Sequence, residues 1–281
     1  MRNALLLLFV CFALPTFAAN TVSLKDAVAQ GLISVKAIGE GGYTGKVMAL
    51  EISSLHKKDL LVDIPAGLQL NSEDSTIQDL IITDTRLLEL AAGSKRRLII
   101  NAMCIQPSNG SPYANSVFKL GIMANDTLVK LAQYLATKGY QDDLGQSAIW
   151  AMVNNEGLEN VYGSDPTRLQ DLLQFMHELT GKPLPWYNKE KAAPPVGQVY
   201  TQEPAIIHAN FEFKLAMAGT ARLAIYNEAG EVVYVIKDNM MVKSGKSTMK
   251  FRIEVRMYEV GKYFVRLELN GKLQEEKVFE L

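Results

Sequence analysis

The thiol of Cys104 is the side chain in this sequence whose chemical role is least obvious. The sequence has two cysteines, and the other, Cys11, lies in an apolar N-terminal run with the features of a cleaved leader. Without that run a single thiol remains, and a single thiol cannot close a disulfide within its own chain. Cys104 is then a buried apolar filler, a link to another chain, or one half of some other covalent bond.

The pattern around Cys104 favours an inward-facing thiol. Alternating apolar residues predict a strand over residues 98–105, in which successive side chains point to opposite faces. Asn101 lies on the face opposite Cys104, so the Cys104 face is the one that we expect in the core. The residues of that face are Leu98, Ile100, Ala102 and Cys104.

A polar residue lies in the apolar stripe of a predicted helix farther along the chain. The spacing i, i+3, i+4 and i+7 places Gln146 on the same side as Ile149, Trp150 and Val153. Gln146 is therefore expected to point inward with the tryptophan. A buried amide needs hydrogen-bond partners, because leaving one unsatisfied costs about 1–3 kcal/mol.

The sequence G-Q-S-A-I-W at residues 145–150 is similar to the T-Q-x-A-I-W signature of bacterial surface thioester domains. The resemblance implies that the Gln146 side chain is joined to a cysteine, with Cys104 as the partner and with release of ammonia. The product would be an electrophile that captures nucleophiles on another surface. Gly145 stands where that family has threonine, and a buried thiol beside a satisfied amide remains the alternative. The other residues that carry the match are Ala148, Ile149 and Trp150.

Other kinds of site find little support in the sequence. His56, His177 and His208 are dispersed, and one remaining cysteine excludes a structural zinc site, so we expect no metal. Residues 39–42, which are rich in glycine, lie between predicted strands and indicate a turn instead of a phosphate-binding loop. Glu156 and Glu159 are expected at a solvated helix end. No catalytic residue and no cofactor is predicted.

The charge balance excludes a nucleic-acid partner. The chain has 29 Lys and Arg residues against 30 Asp and Glu residues, and the two signs are well mixed. Residues 1–18 have the features of a signal peptide: Arg2, a short apolar run and small residues before the cleavage site. No later stretch is long enough to span a bilayer. We therefore expect a protein that is secreted or on the outer cell surface, with the periplasm as the alternative location.

The order of the predicted elements indicates two domains. Strands over residues 35–105 precede three helices, which favours an α+β domain over residues 20–185. The helices are predicted over residues 127–138, about 143–153 and about 166–180, with N-caps at Asp126, at Asp142 or Asp143, and at Asp165. A proline-rich linker is expected over residues 186–203. The period of two beyond it predicts an antiparallel β-sandwich of about seven strands over residues 204–281.

The C-terminal domain resembles the Ig-like modules of proteins exported by the type IX secretion system of Bacteroidota. It also resembles the Ig-like fold of flagellar hook-capping proteins. The matching segments are residues 221–233 and 261–278, which include Gly261, Tyr263 and the hairpin dipeptide Asn270-Gly271. The resemblance implies an Ig-like fold and contact with a secretion machinery. A plain structural sandwich is the alternative.

Together these features predict a non-catalytic binding or structural protein of the bacterial envelope. Its ligand would be a protein or glycan surface that the sequence does not name. The alternative is a covalent adhesin that uses a thioester between Cys104 and Gln146.

Overall fold

The computed structural model describes residues 21–281. The predicted signal peptide, residues 1–18, lies outside this range. In the described range, no helix combines the length and the apolar character needed to cross a membrane. Most of the regular structure consists of antiparallel sheets, which agrees with the predicted β-rich architecture.

Strands dominate the chain up to residue 123. The elements of this part are β1 (Thr21–Ser23), α1 (Leu24–Ala29), β2 (Ile33–Glu40), β3 (Met48–Ser54), β4 (Leu60–Ile64), β5 (Leu68–Ser72), β6 (Leu80–Ile82), β7 (Arg86–Leu90), β8 (Lys95–Ile100), β9 (Ala102–Cys104) and β10 (Ala114–Met123). A small sheet has the order β1-β4-β7, and a seven-stranded sheet has the order β8-β3-β2-β10-β5-β6-β9.

The seven-stranded sheet is strongly curled. Its two edge strands, β8 and β9, follow each other in the chain and are separated by Asn101 alone. One residue spans only a few ångströms, so the two edges of the sheet must lie side by side. The curled sheet encloses an apolar core that contains Ile100, Ala102 and Cys104.

The single strand predicted over residues 98–105 is thus two strands. The chain leaves one edge of the sheet at Asn101 and joins the other, where β9 pairs with β6. The predicted inward face is nevertheless confirmed. Ile100, Ala102 and Cys104 are fully buried in one cluster, and Leu98 packs against it partly buried.

The strand β10 was not predicted, although it lies near the middle of the sheet between β2 and β5. Its sequence lacks a clean alternation of buried apolar and exposed polar residues, since Val117, Ile122 and Met123 are apolar and exposed. Phe118 and Ser116 are buried, whereas Lys119 is exposed. Only the pairing with two distant strands makes this segment a strand.

Three helices follow: α2 (Asp126–Lys138), α3 (Asp143–Val153) and α4 (Pro166–Thr180), with a short 3-10 helix at Leu158–Asn160 before α4. They share a second core with Ile81 and Met103 of the sheet. Asp165 caps α4 as predicted, by accepting hydrogen bonds from the backbone of Thr167 and Arg168. The cap of α2 is Asn125 and not Asp126, because the Asn125 side chain accepts the bond from Leu128 N.

The C-terminal third of the chain is an antiparallel β-sandwich, as predicted. Its strands are β11 (Tyr187–Lys191), β12 (Pro204–Leu215), β13 (Gly219–Tyr226), β14 (Val232–Val242), β15 (Gly245–Glu254), β16 (Lys262–Leu269) and β17 (Lys272–Glu280). Sheets of order β11-β12-β15 and β14-β13-β16-β17 enclose a core of aromatic and aliphatic side chains. The segment predicted as a linker, residues 186–203, differs from the expectation because β11 pairs with β12 and belongs to the sandwich.

The C-terminal residues singled out in the sequence have clear structural positions. Asn270 and Gly271 form the predicted tight turn between β16 and β17, with φ angles of 50° and 77°. Tyr263 is buried in the sandwich core, and its hydroxyl donates to the carbonyl of Glu259. The carbonyl of Gly261 accepts a hydrogen bond from Leu281 N, which ties down the end of the chain.

Candidate functional site

Helix α3 carries Gln146 and lies very close to the chain that precedes it. A Cβ atom at Gly145 would lie 2.1 Å from the carbonyl oxygen of Tyr140 and 2.8 Å from the Met103 side chain. Any larger residue would have to push α3 away from Tyr140 and displace the end of the Met103 side chain. Gly145 therefore allows the close packing of α3 on Tyr140 and Met103, which gives a structural reason for glycine where the thioester signature has threonine.

The structure brings the two predicted partners together. Gln146 Oε1 accepts a hydrogen bond from Cys104 N at 3.0 Å, and Gln146 Nε2 donates to Cys104 O at 2.9 Å. Both residues are fully buried. The amide thus pairs with the backbone at the sheet edge as a neighbouring strand would, and the need for partners that was inferred from the sequence is met.

The Cys104 thiol lies in the apolar core of the curled sheet. Burial raises the pKa of this thiol well above its usual value, because the charged thiolate would lose its solvation. The thiolate is the nucleophilic form of cysteine, so the thiol is held in its unreactive form. In the described range Cys104 has no disulfide partner.

A glycine-rich turn covers the pair, at the position where the sequence indicates a turn. Gly41, Gly42 and Gly45 have positive φ angles, which lets the chain fold back over β9. The carbonyls of Tyr43 and Gly45 accept hydrogen bonds from the backbone of Cys104 and Ala102. The turn thereby positions the Tyr43 side chain above the buried contact.

The stripe predicted on α3 divides between two cores. Ala148 and Ile149 pack among the helices, whereas Trp150 packs against the core of the curled sheet. Gln146 and Trp150 do point the same way, since both line one cleft. The Trp150 ring stacks near-parallel to Tyr43 at a centroid distance of 6.0 Å.

This cleft has a volume of about 240 Å³ and lies between α3, the 3-10 helix and residues 190–201. Gln146 forms part of its wall, next to Ser147. Aromatic side chains make up much of the lining: Tyr43, Trp150, Tyr162 and Tyr200. The charged groups that line it are Asp143, Glu156, Glu190 and Lys191.

Tyrosine hydroxyls hold two of the carboxylates. Tyr43 donates to Asp143 at 2.8 Å, and Tyr200 donates to Glu156 at 2.5 Å. Burial, followed by the bond to Asp143, raises the pKa of Tyr43 to about 12. Burial and then Glu156 likewise raise the pKa of Tyr200. Both phenols are therefore neutral at physiological pH.

On the far side of the cleft, residues that precede the sandwich contact the strands β11 and β12. Glu190 of β11 contacts His208 of β12 at 2.7 Å, and the Tyr162 ring stacks on His208 at a centroid distance of 4.8 Å. Lys191 donates to Asn160 Oδ1 at 2.8 Å. Burial lowers the pKa of Lys191, since its ammonium group is partly removed from water.

Several residues of the cleft were missed or misjudged from the sequence. Glu156 was expected at a solvated helix end, but it faces the cleft and bonds Tyr200. Tyr43 lies in a glycine-rich segment and Tyr200 in a proline-rich one. Neither segment is expected to form a strand or a helix, so these aromatic side chains are not explained by the packing of such an element. That unusual placement is the signal that could have identified them.

The described range contains no cluster of three or more histidine, cysteine or acidic side chains placed to hold a metal ion. Comparisons with protein families, with curated proteins and with solved structures give no match to this chain.

Proposed function

We propose that this chain is a secreted or surface-displayed, non-catalytic binding protein of the bacterial envelope. It would consist of an α+β interaction domain, residues 20–185, and an Ig-like module that begins with β11. The observation that carries the proposal is the cleft beside α3, which combines aromatic walls with a few polar groups. Ligand sites in proteins have this composition, and they often lie at the junction of two domains.

The state of the ionisable groups supports binding over catalysis. A general acid or base works best with a pKa near the operating pH. Tyr43 has a pKa of about 12, and the pKa of Tyr200 is raised as well. Each of these phenols is bonded to a carboxylate, which makes the pairs suited to shaping a site and poorly suited to moving protons at neutral pH.

A binding assay with paired variants tests the proposal. Labelled wild-type protein is applied to an array of glycans and bacterial and host surface proteins, together with Tyr200→Ala. We expect a ligand that the wild type binds and the variant loses. The variant Tyr113→Ala, which removes an exposed tyrosine outside the cleft, is the matched control and should bind as the wild type does. Equal binding by the wild type and Tyr200→Ala would place the binding site elsewhere.

A covalent adhesin is the second candidate, and one observation favours it. Cys104 and Gln146 are in direct contact, and Gln146 forms part of the cleft wall that an incoming nucleophile would meet. The thiol would add to the Gln146 amide carbonyl and ammonia would leave, so that an S–C bond replaces the C–N bond. The thioester would then transfer its acyl group to an external amine and release the thiol. Incubation with methylamine tests this, because only a thioester gains the amine covalently at Gln146.

A further inference from the structure

The cleft beside α3 has an excess of negative charge. Three carboxylates line it, from Asp143, Glu156 and Glu190, against the single ammonium group of Lys191. Glu190 is paired with His208. In the described part of the chain, neither Asp143 nor Glu156 forms a salt bridge, although the charge of Glu156 acts on Lys191 and opposes the lowering of the Lys191 pKa.

The tyrosine contacts make the aromatic walls more attractive to cations. A phenol that donates to a carboxylate gains electron density, and the face of an aromatic ring carries the negative end of its quadrupole. Tyr43 and Tyr200 are in this state, on either side of Trp150. Rings arranged around a cation, with carboxylates nearby, are the recognised way to bind an ammonium group.

Lys191 shows that an ammonium group is accommodated at one end of the cleft. Its Nζ lies 5.9 Å from the centre of the Tyr200 ring and donates to Asn160 Oδ1 and to the carbonyl of Gln202. These bonds hold the Lys191 ammonium group beside Asn160 and Gln202. The end next to Asp143, Tyr43 and Trp150 has no cation of its own among the lining residues.

We infer that the cleft binds an organic ammonium group, with Tyr43, Trp150 and Tyr200 around the cation and with Asp143 and Glu156 as counter-charges. The inference rests on the proposed binding function and specifies its ligand class. A volume of about 240 Å³ suits one head group or one side chain better than an extended chain of sugars. The ammonium group belongs either to a small molecule or to a lysine side chain on a partner protein.

Two pairs of ligands, each with and without an ammonium group, test the inference. Choline is compared with 3,3-dimethylbutan-1-ol, which has the same shape without the charge. Nα-acetyl-lysine amide is compared with Nα-acetyl-norleucine amide to represent a protein side chain. Binding is followed by tryptophan fluorescence, since the chain has two tryptophans and only Trp150 lines the cleft. The signal should persist in Trp186→Phe and disappear in Trp150→Phe.

We expect at least one ammonium ligand to bind while its neutral counterpart does not, with weaker binding at higher salt. Asp143→Asn and Glu156→Gln should each weaken that binding by between about twofold and thirtyfold. The control Glu89→Gln, which removes an exposed charge outside the cleft, should bind as the wild type does. Choline binding alone identifies a small-molecule ammonium group as the ligand, and binding of the lysine amide identifies a protein side chain.

Equal binding of a charged ligand and its neutral counterpart would overturn the inference. So would unchanged affinity in both carboxylate variants, once their circular dichroism shows that they fold. If a neutral glycan from the array binds and is lost in Tyr200→Ala while neither ammonium ligand binds, the ammonium inference fails and the binding function stands. If no ligand of any class binds, both fail.

Discussion

The side-chain amide of Gln146 forms two hydrogen bonds with the backbone of a single residue, Cys104. This contact links α3 to the edge of β9, where the carbonyl of Cys104 would otherwise be unpaired inside the protein. The same helix presents Trp150 to the cleft. The buried contact and the cleft wall therefore share α3. A variant that weakens the Gln146–Cys104 contact should also disturb the position of Trp150 in the cleft.

Replacing Gln146 should destabilise the fold. In Gln146→Ala the carbonyl of Cys104 loses its partner, while Cys104 N keeps its bond to Tyr43 O. A buried group without a partner costs about 1–3 kcal/mol, so the free energy of unfolding should fall by that amount. Urea denaturation measures it. Gln174→Ala, at an exposed position of α4, is the control and should change stability by less than about 0.5 kcal/mol.

Adding a side chain at Gly145 should also be destabilising. The Cβ of Gly145→Ala would meet the Tyr140 carbonyl, which belongs to the backbone and cannot rotate away. Overpacking of this kind costs about 1–3 kcal/mol. Gly261→Ala is the matched control, because a Cβ there meets nothing within 4 Å and the φ angle is not positive. Equal stability of the two variants would show that α3 can move away from Tyr140 without cost.

Asp171 should contribute to stability in a pH-dependent way. It accepts hydrogen bonds from Tyr134 and Tyr140 and pairs with Lys138. The bond from Tyr134, followed by that from Lys138, lowers the pKa of Asp171 below its ordinary value of 3.8. A lowered pKa in the folded state means that the contribution is complete above the unfolded value and is lost as the pH falls through the folded one.

Asp171→Asn should therefore lower the melting temperature at pH 7 and flatten the loss of stability below about pH 4. Thermal unfolding between pH 3 and pH 7 measures both effects. The wild type should lose stability more steeply than the variant on the acid side. Parallel curves for the two proteins would show that the three contacts do not depend on the charge of Asp171.

The C-terminal sandwich should be needed for export if it acts as a sorting module. Deleting residues 200–281 in the native host is expected to leave the first domain in the periplasm. Fractionation with surface protease treatment distinguishes the two locations. Lys246→Ala, at an exposed position of the sandwich outside the matching segments, is the control and should be delivered as the wild type is. Undiminished surface delivery of the truncated chain would favour a plain structural sandwich.

Local patterns in the sequence predicted the elements that depend on local physics. The Asp165 cap, the Asn270-Gly271 turn and the alternation of Tyr263 with its neighbours all have causes within a few residues. The break at Asn101 and the strand β10 depend instead on pairing with distant strands. Local periodicity carries no information on such pairing, so the curl of the sheet could not be predicted.

The candidate site divides in the same way. The inward direction of Gln146 followed from helical spacing, and its proximity to Cys104 followed from the resemblance to thioester domains. The cleft could not be predicted, because its walls come from a turn, a helix and the proline-rich segment. Tyr43 and Tyr200 are far apart in the sequence, and each flanks Trp150 only after the sheet has curled and β11 has joined the sandwich.

The central claim is that Gln146 keeps its amide and that this amide holds α3 against Cys104. The intact mass of the purified mature protein, together with a thiol titration after denaturation, tests it most directly. The account predicts the full mass expected from the sequence and one titratable thiol for each chain, with no thiol reacting before denaturation. A mass lower by one ammonia, with no titratable thiol, would contradict it and establish the thioester.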